Sequence, residues 1–225
     1  MASRLKGNPL PERPTATSLT DAAAAWLPRL GQGSLASGFY LAGSAALAVS
    51  LGGRRVGRLD LMSPDNRLAP TERRDLLVAL LDVDPAARVG TARDGFLLIH
   101  TGNGAVLQFF FYPYPLVDPP AEIAGLEVAA LADLALMKVG AVISRGTRRD
   151  FVDLYSLARR LPLASVLARA AEKFPHVRDF ELQALKALVD WSEVEDRSPP
   201  WPETEAFFLD ETRRLARARF EQADG

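Results

Sequence analysis

Apolar positions recur along the chain with strand-like and helical periods mixed in its first half and a helical period in its second, and this change of rhythm sets the expected architecture. Phe39 to Ala42 is a short apolar run of the kind a buried strand makes, and Gly43-Ser44 then opens an Ala/Leu/Val pattern, Ala45 to Leu51, that predicts a helix. After the Gly52-Gly53 break, Val56 to Met62 alternates and predicts a second strand, with Leu59 and Leu61 on one face and Arg58 and Asp60 on the other. Pro70 to Leu81 predicts an amphipathic helix. Arg88 to Gly90, Phe96 to His100 and Ala105 to Tyr112 predict strands joined by turns that include Asp94-Gly95 and Asn103-Gly104. Pro113, Pro115, Pro119 and Pro120 stop this run, and helices are expected at Leu131 to Ser144, Arg149 to Arg160, Leu163 to Phe174, Asp179 to Trp191 and Glu203 to Glu221. Ahead of the core, Thr20 to Leu30 predicts a short helix ending at Gly31, and residues up to about Ser18 read as a lead-in without the regions of a signal peptide.

The fold class expected is α/β (α+β), a mixed sheet with flanking helices followed by a helical C-terminal lobe. Residues 1–35 are the lead-in and first helix, 36–130 the α/β core, and 131–225 a helical part packed on it. The most apolar stretch, Ile123 to Ile143, contains Glu127, Asp133 and Lys138; charges at mid-span are costly in a bilayer, so it is expected to be a buried helix of a cytoplasmic protein with no membrane partner.

Composition narrows the chemistry. At 225 residues, with 48% hydrophobic and 24% charged residues, the chain can bury a full core, and its net charge of -1 gives no global field for holding nucleic acid. There is no cysteine and there are two histidines, His100 and His176, without patterned ligands around them. Thiolate sites, zinc enzymes and Ser-His-Asp hydrolases are thereby disfavoured.

Two features then stand out. Gly43-Ser44 at a helix start offers backbone N-H groups and a hydroxyl to an anion, unless Ser44 is simply the cap of that helix. On the next strand, Leu59-Asp60-Leu61 sets a carboxylate between apolar neighbours, as a phosphoryl-transfer site requires. With these residues the segment FYLAGSAALAVSLGGRRVGRLDLMS, Phe39 to Ser63, resembles the AbiEii/AbiGii toxin family of minimal nucleotidyltransferases. The likeness continues through Tyr112-Pro-Tyr-Pro-Leu116, Leu131-Ala-Asp-Leu134 with Met137-Lys138, Arg145-Gly146 with Arg149-Asp-Phe-Val-Asp-Leu-Tyr155, and Leu185 to Glu195.

The resemblance implies a nucleotidyltransferase-like core and transfer of a nucleotide from an NTP to a hydroxyl, with tRNA as one acceptor and a cognate antitoxin as protein partner. In that reading Mg²⁺ bridges Asp60 and the triphosphate, Gly43 and Ser44 hold phosphates, and Lys138, one of only four lysines, contacts the triphosphate. Asp150 or Asp153 assists catalysis or orients Lys138. Arg54, Arg55, Arg58, Arg145 and Arg149 are candidate phosphate contacts, Arg145, Arg148 and Arg149 forming a basic turn that can instead pair with the same aspartates.

The departures from the pattern are as informative. Arg58 stands where the family has the first aspartate of a D-x-D pair, and Gln108 where related enzymes place a third carboxylate. Either Arg58 substitutes a fixed cation for the metal's charge, or the site is a degenerate one that serves as a nucleotide-binding or protein-interaction module. For Lys138 the alternative to a site role is a stem packed on the core with its ammonium reaching solvent. For Phe109 to Tyr112, alternation of side chains along a strand rules out one continuous stacking surface.

Overall fold

The computed structural model describes residues 15–223; of the expected lead-in, residues 1–14 lie outside the described part, and Ala16–Ser18 form a single 3-10 turn. The chain divides into two compact units. The first comprises the residues up to Pro113 together with Pro120–Ala129, and the second Tyr114–Pro119 together with Ala130 onward.

In the first unit the order is α1 (Asp21–Ala24), α2 (Leu27–Gly31), β1 (Tyr40–Ala42), α3 (Gly43–Leu51), β2 (Arg58–Ser63), α4 (Pro70–Val83), β3 (Arg88–Arg93), β4 (Phe96–His100), β5 (Val106–Phe111), β6 (Ala121–Ile123) and β7 (Leu126–Val128). The expected helix over Thr20 to Leu30 is thus broken at Ala25-Trp26. Pro28 sits in the first turn of α2, where its missing N-H is tolerated, whereas in one continuous helix it would clash with the carbonyl of Ala24. All seven strands form one mixed sheet in the order β3-β4-β5-β2-β1-β7-β6, with β2/β5 and β1/β7 parallel and the remaining pairs antiparallel.

One sheet face is the core. Leu59, Leu61, Leu97, Ile99, Leu107 and Phe109 alternate onto it and are buried, and Phe39 meets Phe109 edge to face at 5.3 Å. The other face carries Arg58, Asp60 and Gln108, so the division of β2 into two faces is as its alternation predicts. Within this unit α3 packs on β1 and β2.

The single continuous helix expected over Ile123 to Ile143 is not what forms. Its first part is the β6/β7 hairpin, closed by the two-residue turn Ala124-Gly125, with φ of 52° and 84°. Positive φ at both central residues is the turn geometry that matches strand twist, and it stops a helix whatever the hydrophobicity. The turn is also held from outside: a Cβ on Gly31 would lie 2.3 Å from the backbone N of Leu126, so the end of α2 and this hairpin touch backbone to backbone.

The second unit is helical, with α5 (Leu131–Arg145), α6 (Arg148–Ala158), α7 (Leu163–Ala168), α8 (Ala170–Lys173), α9 (Phe180–Ala187) and α10 (Trp201–Ala223). The helix expected over Leu163 to Phe174 is interrupted at Arg169, whose side chain turns to Asp118 and the Val117 carbonyl. In α6 the buried residues Asp150, Phe151, Leu154 and Leu157 follow the helical repeat. Phe151 is enclosed edge-on by Trp201 and Phe208 of α10, at 5.5 and 5.8 Å. Among the described residues no helix is long and apolar enough to cross a membrane.

Candidate functional site

Each unit assembles one of the two groups of residues singled out by the sequence. In the first, β1 ends at Ala42 and the chain enters α3 directly through Gly43, at φ 60°. The N-cap is Ala42, which has no side chain to cap with, so Ser44 lies at the second position of the helix and the cap reading of Ser44 is set aside. Antiparallel pairing of β1 with β2 puts Ala42 opposite Asp60. The carboxylate of Asp60 then lies so close to Gly43 that a Cβ there would be 2.3 Å from Oδ2. Glycine is required twice over, by its backbone angle and by the space the aspartate takes.

Asp60 is buried, with its side chain 9% exposed, and Arg58 closes on it from the same face of β2. The Arg58 Nε donates to Oδ1 at 2.9 Å and Nη2 to Oδ2 at 3.4 Å. The parallel register of β2 with β5 sets Gln108 beside Asp60. A divalent cation of the Mg²⁺ type needs several oxygen ligands, with carboxylates neutralising its charge. At these strand positions Asp60 is the one carboxylate, a guanidinium engages both its oxygens, and its neighbour on β5 is a neutral amide. These residues do not fit that metal, and among the described residues no three His, Asp or Glu side chains come together in a metal-holding group.

In the second unit the site is a network of buried charge. Helix α5 ends at Gly146, in the left-handed conformation with φ 52°, and this turn lets Arg145 reach forward into the first turn of α6. Arg145 donates to Asp150 through Nε at 2.7 Å and Nη2 at 2.8 Å, and the Thr147 hydroxyl adds a third bond at 2.6 Å. Lys138, midway along α5, sets its Nζ 3.3 Å from Asp150 Oδ1 and 2.8 Å from Asp153 Oδ2. The two aspartates, one helical turn apart on α6, face the same ammonium.

No family model matches the chain. It is 31% identical over 182 residues to the uncharacterized protein aq_aa25 of Aquifex aeolicus (strain VF5), across 76% of this chain and 84% of that one. The chain belongs to the family of aq_aa25. Solved structures with similarity to it include the antibiotic-resistance factor ANT(2'')-Ia (17% identity, TM-score 0.49, 68% of this chain and 91% of that one). JHP933 from Helicobacter pylori is similar at 16% identity and a TM-score of 0.46, over 90% of this chain and 100% of that one. MenT4, the nucleotidyltransferase toxin Rv2826c of Mycobacterium tuberculosis H37Rv, is similar at 18% identity and a TM-score of 0.42, over 86% and 88%.

In this relative of aq_aa25 several sequence expectations are redirected by what the side chains touch. Lys138 does not extend to solvent: its side chain is 10% exposed and its ammonium is paired. Of the basic turn, Arg145 takes the pairing option with Asp150, Arg148 bonds the carbonyls of Ser198 and Pro199, and Arg149 is exposed. Arg55 is committed to Asp21 and the Leu19 carbonyl, while Arg54 is exposed in the loop between α3 and β2. Sequence reasoning missed Thr147 as a partner of Asp150; the signal available was its place three residues ahead of the aspartate at the helix start.

Burial raises the pKa of Asp150, but the hydrogen bonds from Arg145 and Thr147 and the charge of Lys138 outweigh it and hold the carboxyl at about 2, below its ordinary 3.8. A depressed folded-state value means the stabilisation is present above pH 3.8 and is lost as pH falls toward 2. Discounted for the solvent around Arg145, this contribution to stability is about 1–2 kcal/mol. Urea unfolding across this window should show the protein losing that increment while Asp150→Asn, weaker at neutral pH, converges on it in acid. Parallel curves would remove Asp150 from the acid response.

Proposed function

We propose that this protein binds a nucleoside triphosphate on a nucleotidyltransferase-type core in which metal-dependent transfer has been given up, leaving a nucleotide-binding module. The observation that carries the reading is the Arg58–Asp60 pair: the side chain at the place of the first aspartate of the resembled D-x-D pair is a cation bonded to the second, Asp60. What supports nucleotide binding is the local layout that bears the AbiEii/AbiGii resemblance. A strand turns through Gly43 straight into the N-terminus of a nine-residue helix, whose dipole favours phosphate, with Asp60 against that turn and Arg58 bonded to Asp60.

A second reading has its own observation. Lys138 is buried against Asp150 and Asp153, and the resemblance gives these residues the roles of triphosphate contact and catalytic assistance. In this reading the protein transfers a nucleotide from an NTP to a hydroxyl of RNA such as tRNA, with Asp60 in the mechanism and an antitoxin as partner. Incubation of the full chain with each α-labelled NTP and with RNA or small hydroxyl acceptors separates the two. Nucleotide binding with no label on any acceptor is the expected result. Label transferred to an acceptor and lost in Asp60→Ala would establish the enzyme instead.

A further inference from the structure

Arg58 does more than spoil a metal site, because its geometry is that of a substitute. Residues two apart on a strand project to one side, and the guanidinium fork lies on the oxygens that a cation bridged to Asp60 would use. The flanking positions add no second anion: Ala42 stands across from Asp60 on β1 and Gln108 beside it on β5. Gly43 lies against Oδ2, so the carboxylate is enclosed from that side too. A guanidinium keeps its proton at every physiological pH, and the Arg58–Asp60 pair is net neutral. A dication approaching it gains no net attraction and must displace a tethered cation. Arg58 itself is not spent on the pair: its side chain is 44% exposed, and a guanidinium carries five N-H donors.

We infer that Arg58 is the resident cation of Asp60, holding the place a divalent ion would take, so that Asp60 binds no metal. The consequence for ligand rests on the nucleotide-binding reading above: the polyphosphate meets the guanidinium directly, and its binding does not depend on divalent cations.

Two measurements test this. In a Mn²⁺ titration of the full chain followed by electron paramagnetic resonance, the native protein should leave the aqueous Mn²⁺ signal intact. Arg58→Asp should take Mn²⁺ up, and Arg58→Asp combined with Asp60→Asn should release it. Uptake by the native protein that Asp60→Asn abolishes overturns the inference, and so does a folded Arg58→Asp that binds none. The conservative variant Arg58→Gln covers the case in which Arg58→Asp does not fold. In calorimetry with ATP, native affinity should change by less than about threefold between EDTA and excess Mg²⁺, and Arg58→Gln should weaken it about tenfold in EDTA. A Mg²⁺-dependent gain of about tenfold or more in the native protein overturns the inference and leaves nucleotide binding standing. Absence of binding by every NTP in both conditions overturns nucleotide binding, and the Mn²⁺ titration then still decides the role of Arg58.

Discussion

Replacing Asp133 with asparagine is expected to destabilise the protein by about 3–5 kcal/mol, a large share of the roughly 5–15 kcal/mol typical of a folded domain. Asp133 in the first turn of α5 and Lys173 at the end of α8 are both fully buried and pair at 2.7 Å. The aspartate also accepts from the backbone N-H groups of Val117 and Asp118, at 2.9 and 3.2 Å, and Lys173 donates to the Pro115 carbonyl at 2.9 Å. Together with Arg169, which bonds Asp118 and the Val117 carbonyl, they strap Tyr114–Pro119 into the second unit. Burial lowers the pKa of Lys173 and the Asp133 charge opposes that shift, so the ammonium depends on its partner. Asparagine keeps the shape but leaves a buried cation uncompensated. Urea unfolding measures the loss. The double variant Asp133→Asn with Lys173→Met, which removes the stranded charge as well, should recover most of it, because a buried pair is often replaceable by neutral groups at little net cost. A single variant that loses less than about 1 kcal/mol would show that the pair is not a structural keystone.

How far such features could be read in advance depended on whether the information was local. The β1–α3–β2 segment was legible because alternation, a Gly-Ser helix start and a strand-borne aspartate are all encoded within 25 residues, Phe39 to Ser63. The opposite faces of Leu59 and Asp60 follow from that alternation alone. Ile123 to Ile143 misled because apolar content does not distinguish a hairpin from a helix, and the deciding signal was one glycine, Gly125, beside an alanine held at positive φ. Asp133 was visible as a charge in an apolar run, but its partner lies 40 residues away. Lys138 was noticed for its rarity, and the aspartates one helical turn apart were read as a pair facing one place; that this place is the Lys138 ammonium took packing of α5 on α6 to establish. Arg58 was recognisable as a departure from a pattern, whereas its hold on both oxygens of Asp60 required coordinates.

Gly43→Ala is expected to cost about 2–4 kcal/mol, from two sources that a double-mutant cycle can separate. The left-handed backbone at φ 60° contributes about 1–2 kcal/mol for any residue with a Cβ. The remainder is the collision of that Cβ with Asp60, whose Oδ2 would stand 2.3 Å away and whose Cγ 3.1 Å away. Asp60 cannot simply retreat, because its strand is pinned between β1 and β5 and its carboxylate is gripped by Arg58. Asp60→Ala alone removes the partner of a half-exposed arginine and should cost only about 1 kcal/mol. The double variant should therefore be more stable than the sum of the singles predicts, by about 1–2 kcal/mol, since the oxygens that collide are gone while the backbone term stays. Additivity within about 0.5 kcal/mol would mean that Gly43 is needed for its backbone angle only. On the nucleotide-binding reading proposed above, nucleotide titrations of the same cycle should be unequal in the other direction: Gly43→Ala and the double variant both lose binding, because each distorts the turn that would present the N-terminus of α3 to phosphate, and relief of the collision does not restore that turn.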